Sequence, residues 1–349
     1  MGIVWFCLVA TMITVYVLLD GFDLGVGAIH LIVAKTDEER RQVLASIGPV
    51  WDGNEVWLIA AGGTLYFAFP ALYASGFSGF YLPLMMVLWL LILRGTSIEF
   101  RNHIKSKVWD PLWDFVFSAS SLLLAVFFGA ALANVVRGVP LDASGYFFEP
   151  LWTNFQLGDD VGILDWYTIL VGVLALAALV MHGSLWVRMK TSGPVTERAT
   201  SLARQVWWAV FALTAIVTAV TFKVQPQVKE NFTTWPVALI LPLLAVAGLA
   251  GVQFELVKHD ERKAFFASCL YITGMLTSVV FGVFPMVLPA RNPVYSLTVN
   301  GAKASDYGLK VGLIWWVVGM MLAAGYFIFV YRSFAGKVSV EKDGHGHGY

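Results

Sequence analysis

The chain has 349 residues, of which 58% are hydrophobic and only 13% charged, where a soluble globular domain carries roughly 25% charge. Its mean hydropathy is +0.72, and Lys+Arg 23 balance Asp+Glu 23, so no net field gathers polyanions. These values exclude a water-soluble enzyme, a disordered regulator and a nucleic-acid binder.

A bilayer span takes about 20 predominantly apolar residues. Nine stretches meet that requirement, at about residues 3–33, 43–67, 73–99, 113–136, 164–187, 204–223, 236–257, 264–288 and 311–331. They predict an all-α polytopic membrane protein, one domain over residues 1–349. The first stretch runs into LLDGFDLGVG with no A-x-A cleavage site, so it is expected to be retained. The second and third are nearly continuous, and Pro70 is the expected break between them. The longest outer loops, 137–163 and 289–310, hold turn-forming residues and are expected to form small ordered caps. No sequence repeat is evident.

The loop cations set the orientation. Lys35, Arg40 and Arg41 follow the first span, and Arg101, Lys105 and Lys107 the third. Arg188, Lys190, Arg198 and Arg204 follow the fifth, Lys258, Arg262 and Lys263 the seventh, and Arg332, Lys337 and Lys342 the ninth. The opposite side holds only Arg137, Lys223, Lys229, Arg291, Lys303 and Lys310. The excess places the N-terminus outside and the C-terminus in the cytoplasm, in a multi-pass protein.

An Asp, Lys or Arg at the centre of a span costs about 2.5–3.5 kcal/mol on insertion scales, so each one needs a reason. In the first span Asp20 and Asp23 share a helical face. Gly21 and Gly25 form a small-xxx-small pattern that lets a second helix approach closely. The acids read either as a protonatable pair against a partner helix or as groups bonded within a tight helix contact. In the second span, GPVWDGNEVW places Asp52 about nine residues in, with Glu55 one turn on. Pro49 and Gly53 weaken the helix and admit water, Asn54 can bridge donors and acceptors, and Trp51 and Trp57 can frame a ligand.

In the third span, Arg94 and Glu99 are poorly phased to pair with each other. Arg94 is free for an acid on another helix or a cofactor propionate, and Glu99 could open a proton path to the cytoplasm. Both also suit headgroup snorkelling. Among the histidines, His182 lies well within a span and reads as a hydrogen-bonded packing residue. His30 and His103 fall at span ends, and the tail GHGHGY is poor evidence for a metal. Cys7 and Cys269 sit in apolar runs, which leaves no disulfide framework or Cys-based metal cluster. Phosphate loop, GxSxG, HExxH and CxxC motifs are absent.

Four segments in order, DGFDLGVG (20–27), GPVWDGNEVWL (48–58), FSGFYLP (77–83) and LRGTSIEFR (93–101), resemble subunit II of the cytochrome bd-type quinol oxidases. Beyond residue 101 the likeness is weaker. It rests on GSLWVRMKTSGP (183–194), FPMVLP (284–289) and Ser-Leu-Thr (296–298). The resemblance implies two four-helix bundles plus one peripheral helix in the bacterial cytoplasmic (inner) membrane. It implies a heterodimer with subunit I, which carries two haems b, a haem d and the quinol site, and which admits small accessory subunits. This chain is then expected to hold no haem axial ligand and no metal.

The complex would couple quinol oxidation to reduction of O₂ to water, electrogenically and without pumping, with cytoplasmic protons delivered to the haem site. Carried over residue by residue, the proton path falls on Asp52 and Glu99, the latter an Asp in many relatives, with Asp20 and Asp23 implicated in proton or water access. Glu55 joins them from the same motif as Asp52. Arg94 matches an arginine near the subunit interface and haem region, and Trp51 a tryptophan near a structural quinone. The alternative reading is a stand-alone proton-coupled transporter or channel.

Overall fold

The computed structural model describes residues 1–101, 103–104, 106–158 and 161–338. Lys105, Lys342 and the tail GHGHGY lie outside the described residues. The chain order is α1 Gly2–Val33, α2 Asp37–Ala45, α3 Trp51–Ala68, α4 Pro70–Gly79, α5 Tyr81–Phe100, α6 Trp109–Arg137 and α7 Trp166–Lys190. There follow α8 Pro194–Val224, α9 Pro226–Thr234, a 3₁₀ turn Pro236–Leu239, α10 Ile240–Lys258, α11 Glu261–Val283, β1 Met286–Leu288, β2 Leu297–Thr298, α12 Val299–Ala302 and α13 Asp306–Ser333.

Eight of these helices are long and apolar enough to cross a membrane: α1, α5, α6, α7, α8, Pro236–Lys258, α11 and α13. The expected ninth span is α3, which is not among the eight. It has only 18 residues, and Asp52, Asn54 and Glu55 dilute its first two turns.

Prolines explain most of the shifted boundaries. The stretch expected at 43–67 is not one helix. Thr36 caps α2, accepting a bond from Glu39 N while the Glu39 carboxylate accepts from Thr36 N. A turn through Pro49 then ends α2, and the backbone restarts as a helix at Trp51. The expected break at Pro70 is present, with Pro70 in the first turn of α4. The stretch 73–99 breaks again at Phe80, because Pro83 can neither donate to Gly79 nor clear its carbonyl. α8 starts at Pro194, ten residues before its predicted start, which places Arg198 and Arg204 on the helix rather than in a loop. α11 stops at Val283, and the chain turns through Pro285 into β1.

α1 is the central helix, packed on α3, α6, α7 and α11. Its Gly25 lies against Gly183 of α7 so closely that a Cβ would run into the Leu179 carbonyl, the contact expected from the glycine spacing. α10 and α11 form a tight pair, α8 packs on α7, and α5 on α6. α13 is peripheral, with Leu309 its one buried residue among those described. Segments 138–149 and 286–298 form an ordered cap. β1 pairs with β2 antiparallel, Val139 bridges to Ala290, and Val139, Leu141, Phe147, Leu288 and Ala290 make its core.

Candidate functional site

The polar centre of the chain is built where α1, α3 and α5 meet. Asp20, Asp23, Asn54 and Arg94 are each fully buried. Arg94 reaches from α5 to Asp20 with both prongs, Nη1 donating to Oδ2 at 2.8 Å and Nη2 to Oδ1. This bidentate geometry is the strongest that a guanidinium and a carboxylate can make. Arg94, with its two alternatives of an acid on another helix or a cofactor, therefore holds an acid. It is sealed inside this chain rather than lying at an exposed interface.

Asp23, one turn beyond Asp20, makes no ion pair among the described residues, though it lies within electrostatic reach of Arg94. Its Oδ2 accepts from Asn54 Nδ2 at 2.8 Å, and its Oδ1 is buried with no hydrogen-bond partner among the described residues. The amide of Asn54 also donates to Leu19 O at 3.4 Å and accepts from the Tyr331 hydroxyl at 2.8 Å. Glu55 is half-buried, within electrostatic reach of Arg94, Asp20 and Asp52.

The other two predicted relay acids sit apart from this cluster. Asp52 and Glu99 are exposed on the isolated chain. Asp52 is not nine residues deep in a helix, because α3 starts at Trp51 and leaves Asp52 in the first turn. There the carboxylate also complements the helix N-terminus. Asp52 shares one face of α3 with the exposed Val56 and Ile59. Glu99 lies on α5 with the exposed Leu88 and Ile92. Trp51 is half-buried and lays its ring over Gly95 of α5.

A cavity of about 160 Å³ lies between α1, α6, α7, α8 and α11, walled almost wholly by apolar groups such as Val17, Phe128, Val171, Leu179 and Met275. Trp51 does not line it.

His182 Nε2 faces Leu18 O at 3.0 Å and Nδ1 faces Ser268 Oγ at 2.7 Å, so both ring nitrogens are engaged. His30 Nε2 is tied to Asp114 at 2.8 Å inside the fold, and His103 Nδ1 bonds Glu99 O at 2.9 Å in an exposed turn. Among the described residues no group of three His, Cys, Asp or Glu could hold a metal ion.

Two ionic clusters went unread in the sequence. At the end of the molecule that holds α2, Asp114 of α6 gathers His30, Arg40 at 3.0 Å and Arg101 at 2.6 Å, and Arg101 also holds Asp37 at 2.7 Å. Asp114 lies within the first two turns of α6, near the end of the span, where the insertion rule applied to Asp20 gives a weaker signal.

At the opposite end, Arg137 at the end of α6 binds Asp165, Glu149 at 2.8 Å, Asn134 Oδ1 at 2.6 Å and Gly162 O at 3.0 Å. Asp165 meanwhile caps α7, accepting from Tyr167 N at 2.7 Å and Thr168 N at 2.9 Å. Burial pushes the Glu149 carboxyl up to about 7, against the opposing pull of Arg137 and Arg291. The partners are spread over separate loops and helices, and no local spacing announces them.

With this geometry in place, comparison with known proteins is informative. A family model described as Cytochrome bd terminal oxidase subunit II matches residues 1–334. The chain is 32% identical to a probable cytochrome oxidase subunit 2 of Haemophilus influenzae, over 98% of this chain and 97% of that one. It is 30% identical to the cytochrome bd ubiquinol oxidase subunit 2 of Bacillus subtilis, over 96% of each. It is 28% identical to the cytochrome bd-I ubiquinol oxidase subunit 2 of Escherichia coli K12, over 97% and 95%. The fold superimposes on a chain of the bd oxidase structure from Geobacillus thermodenitrificans with a TM-score of 0.75 at 14% identity, covering 95% of this chain and 98% of that one.

Proposed function

The chain belongs to the cytochrome bd terminal oxidase subunit II family, and from that premise we propose that it is the haem-free second subunit of a quinol:O₂ oxidoreductase in the bacterial inner membrane. In this reading it stabilises subunit I and carries part of the route by which cytoplasmic protons reach the partner's haems. The complex holds two haems b and a haem d in subunit I, which supply the electron transfer and O₂ chemistry.

The observation that carries the relay is Asp23. A carboxyl buried in a membrane helix with no cation on it is costly when ionised, and it is a natural place to hold a proton and pass it on. Protonation there needs no rearrangement of Arg94, which is committed to Asp20. Asp52 and Glu99 support the same reading from the surface. Acids on apolar stripes of membrane helices do not face lipid without cost, so the α3 and α5 faces that carry them are the proposed docking face for subunit I. A route along that face would join Glu99 and Asp52 to Glu55 and the buried pair. Trp51, laid over Gly95 beside Arg94, stands within that surface and is the proposed contact for a structural quinone.

The test uses the complex purified through this chain. It is expected to bring a tightly bound partner with haem absorbance, where a stand-alone transporter would be colourless. Asp23→Asn and Asp52→Asn are expected to keep the haem spectrum and slow O₂ reduction. Full turnover in both would leave the chain a scaffold only.

A further inference from the structure

Asn54 is the hub between the buried acid pair and the last helix, and its amide can face only one way. The Leu19 carbonyl on one side is purely an acceptor, so the NH₂ group must point there and to Asp23 Oδ2. The amide oxygen is then turned to Tyr331, 2.8 Å away, and the phenol must be the donor. Among the described residues the amide is therefore held by two contacts on its outer atoms, a long bond to Leu19 O at 3.4 Å and a shorter one from the Tyr331 hydroxyl at 2.8 Å. Tyr331 is itself held, its ring between Phe327 and Trp186 with centroids 6.3 Å from each. This is notable on α13, a helix with little buried surface of its own.

Resting on the relay reading above, we propose that Tyr331 is a positioning residue for proton transfer at Asp23, acting through Asn54. The hydroxyl of α13 fixes the amide so that its N–H, and not its oxygen, meets the carboxylate. The carboxylate takes one proton to become the acid and gives the same proton up to the next group. Throughout the cycle the amide N–H stays on Oδ2, and the unpartnered Oδ1 is the atom that gains and loses the proton. With the phenol gone, only the 3.4 Å bond to Leu19 O keeps the amide from turning its oxygen to Asp23, where it would accept a hydrogen bond from the protonated acid and hold the proton in place.

Tyr331→Phe keeps the packed ring and removes the hydroxyl. In the purified complex it is expected to leave haem content and the KM for quinol unchanged. It is expected to lower kcat on the order of fivefold to tenfold, the factor that one hydrogen bond is worth, and to raise the solvent deuterium isotope effect. A role in packing alone would not move that isotope effect. On an Asn54→Ala background the same change is expected to do nothing further, since the amide through which it acts is missing. Full-rate turnover with an unchanged isotope effect in Tyr331→Phe, beside a slowed Asp23→Asn, would sink this inference and leave the relay standing. Equal slowing on both backgrounds would also overturn it. A fully active Asp23→Asn with an unchanged isotope effect would remove the relay reading itself.

Discussion

In two clusters of this chain a buried arginine stands among two buried carboxylates, and the guanidinium is divided differently in each. In the α1–α3–α5 cluster, Arg94 gives both prongs to Asp20 and leaves Asp23 with an amide. At the cap, Arg137 is split between Asp165 and Glu149, with Asn134 and Gly162 taking its other donors. The bidentate arrangement makes one strong pair and one surplus acid. The split arrangement ties two loop segments to one helix end and leaves neither acid without a cation. The same three charges can thus build a pair with a spare acid beside it, the arrangement proposed above to hold a proton, or a clamp, depending on whether the guanidinium is divided.

The comparison is broken most severely by removing the shared cation. Arg94→Leu leaves Asp20 and Asp23 buried with no positive charge, and Asp20→Asn leaves Arg94 unpaired. Orphaning one member of a buried pair costs about 3–5 kcal/mol, so both variants are expected to yield little haem-loaded complex and a sharply lower thermal midpoint. Arg137→Gln is the matching change at the cap and is expected to cost about 3 kcal/mol. Asp165 retains its bonds from Tyr167 N and Thr168 N, so most of that loss falls on Glu149. Adding Glu149→Gln should recover part of it. If Arg94→Leu were as mild as a surface substitution, the bidentate pair would not be the cornerstone of the cluster.

How far these clusters were legible in the sequence depends on whether their signals are local. The glycine contact of α1 with α7 and the paired acids of DGFDLGVG are both written within one turn of helix. Asn54 was readable as a bridging group because an amide beside two acids has few other uses. The depth of Asp52 was not readable from hydropathy, which runs through Pro49 while the backbone does not. Tyr331 gave no signal, since a tyrosine near the end of a span looks like part of an aromatic belt. The Arg137 clamp joins residues 12 and 28 positions apart in the chain through irregular segments, and only the folded cap brings them together.

A pH series sharpens the contrast at the cap. The carboxyl of Glu149 is raised from 4.5 to about 7 by burial, so the folded cap binds a proton that the unfolded chain has lost between those values. Stability is then fully present below about pH 4.5 and declines as pH rises toward 7, by at most about 3 kcal/mol for a shift of that size. Hydrogen exchange of segment 138–149 across that range should show protection falling with rising pH. Glu149→Gln should flatten the slope, and a slope of opposite sign would mean that the split guanidinium holds Glu149 ionised.

The smallest expected change in stability discriminates best between the two arrangements. Asp23→Asn keeps an oxygen for the Asn54 amide and places an NH₂ where Oδ1 now has no partner. It removes the acid that Arg94 does not serve, so the bidentate pair is untouched. The thermal midpoint of the complex is expected to stay within the equivalent of about 1 kcal/mol of the parent, while O₂ reduction slows. Asp165→Asn at the cap removes a charge that Arg137 does serve and is expected to destabilise by more, with turnover falling only as far as folded complex is lost. If Asp23→Asn proved as damaging to folding as Asp165→Asn, Asp23 would be a structural partner in the cluster, and the distinction between a divided and an undivided guanidinium would have no functional meaning.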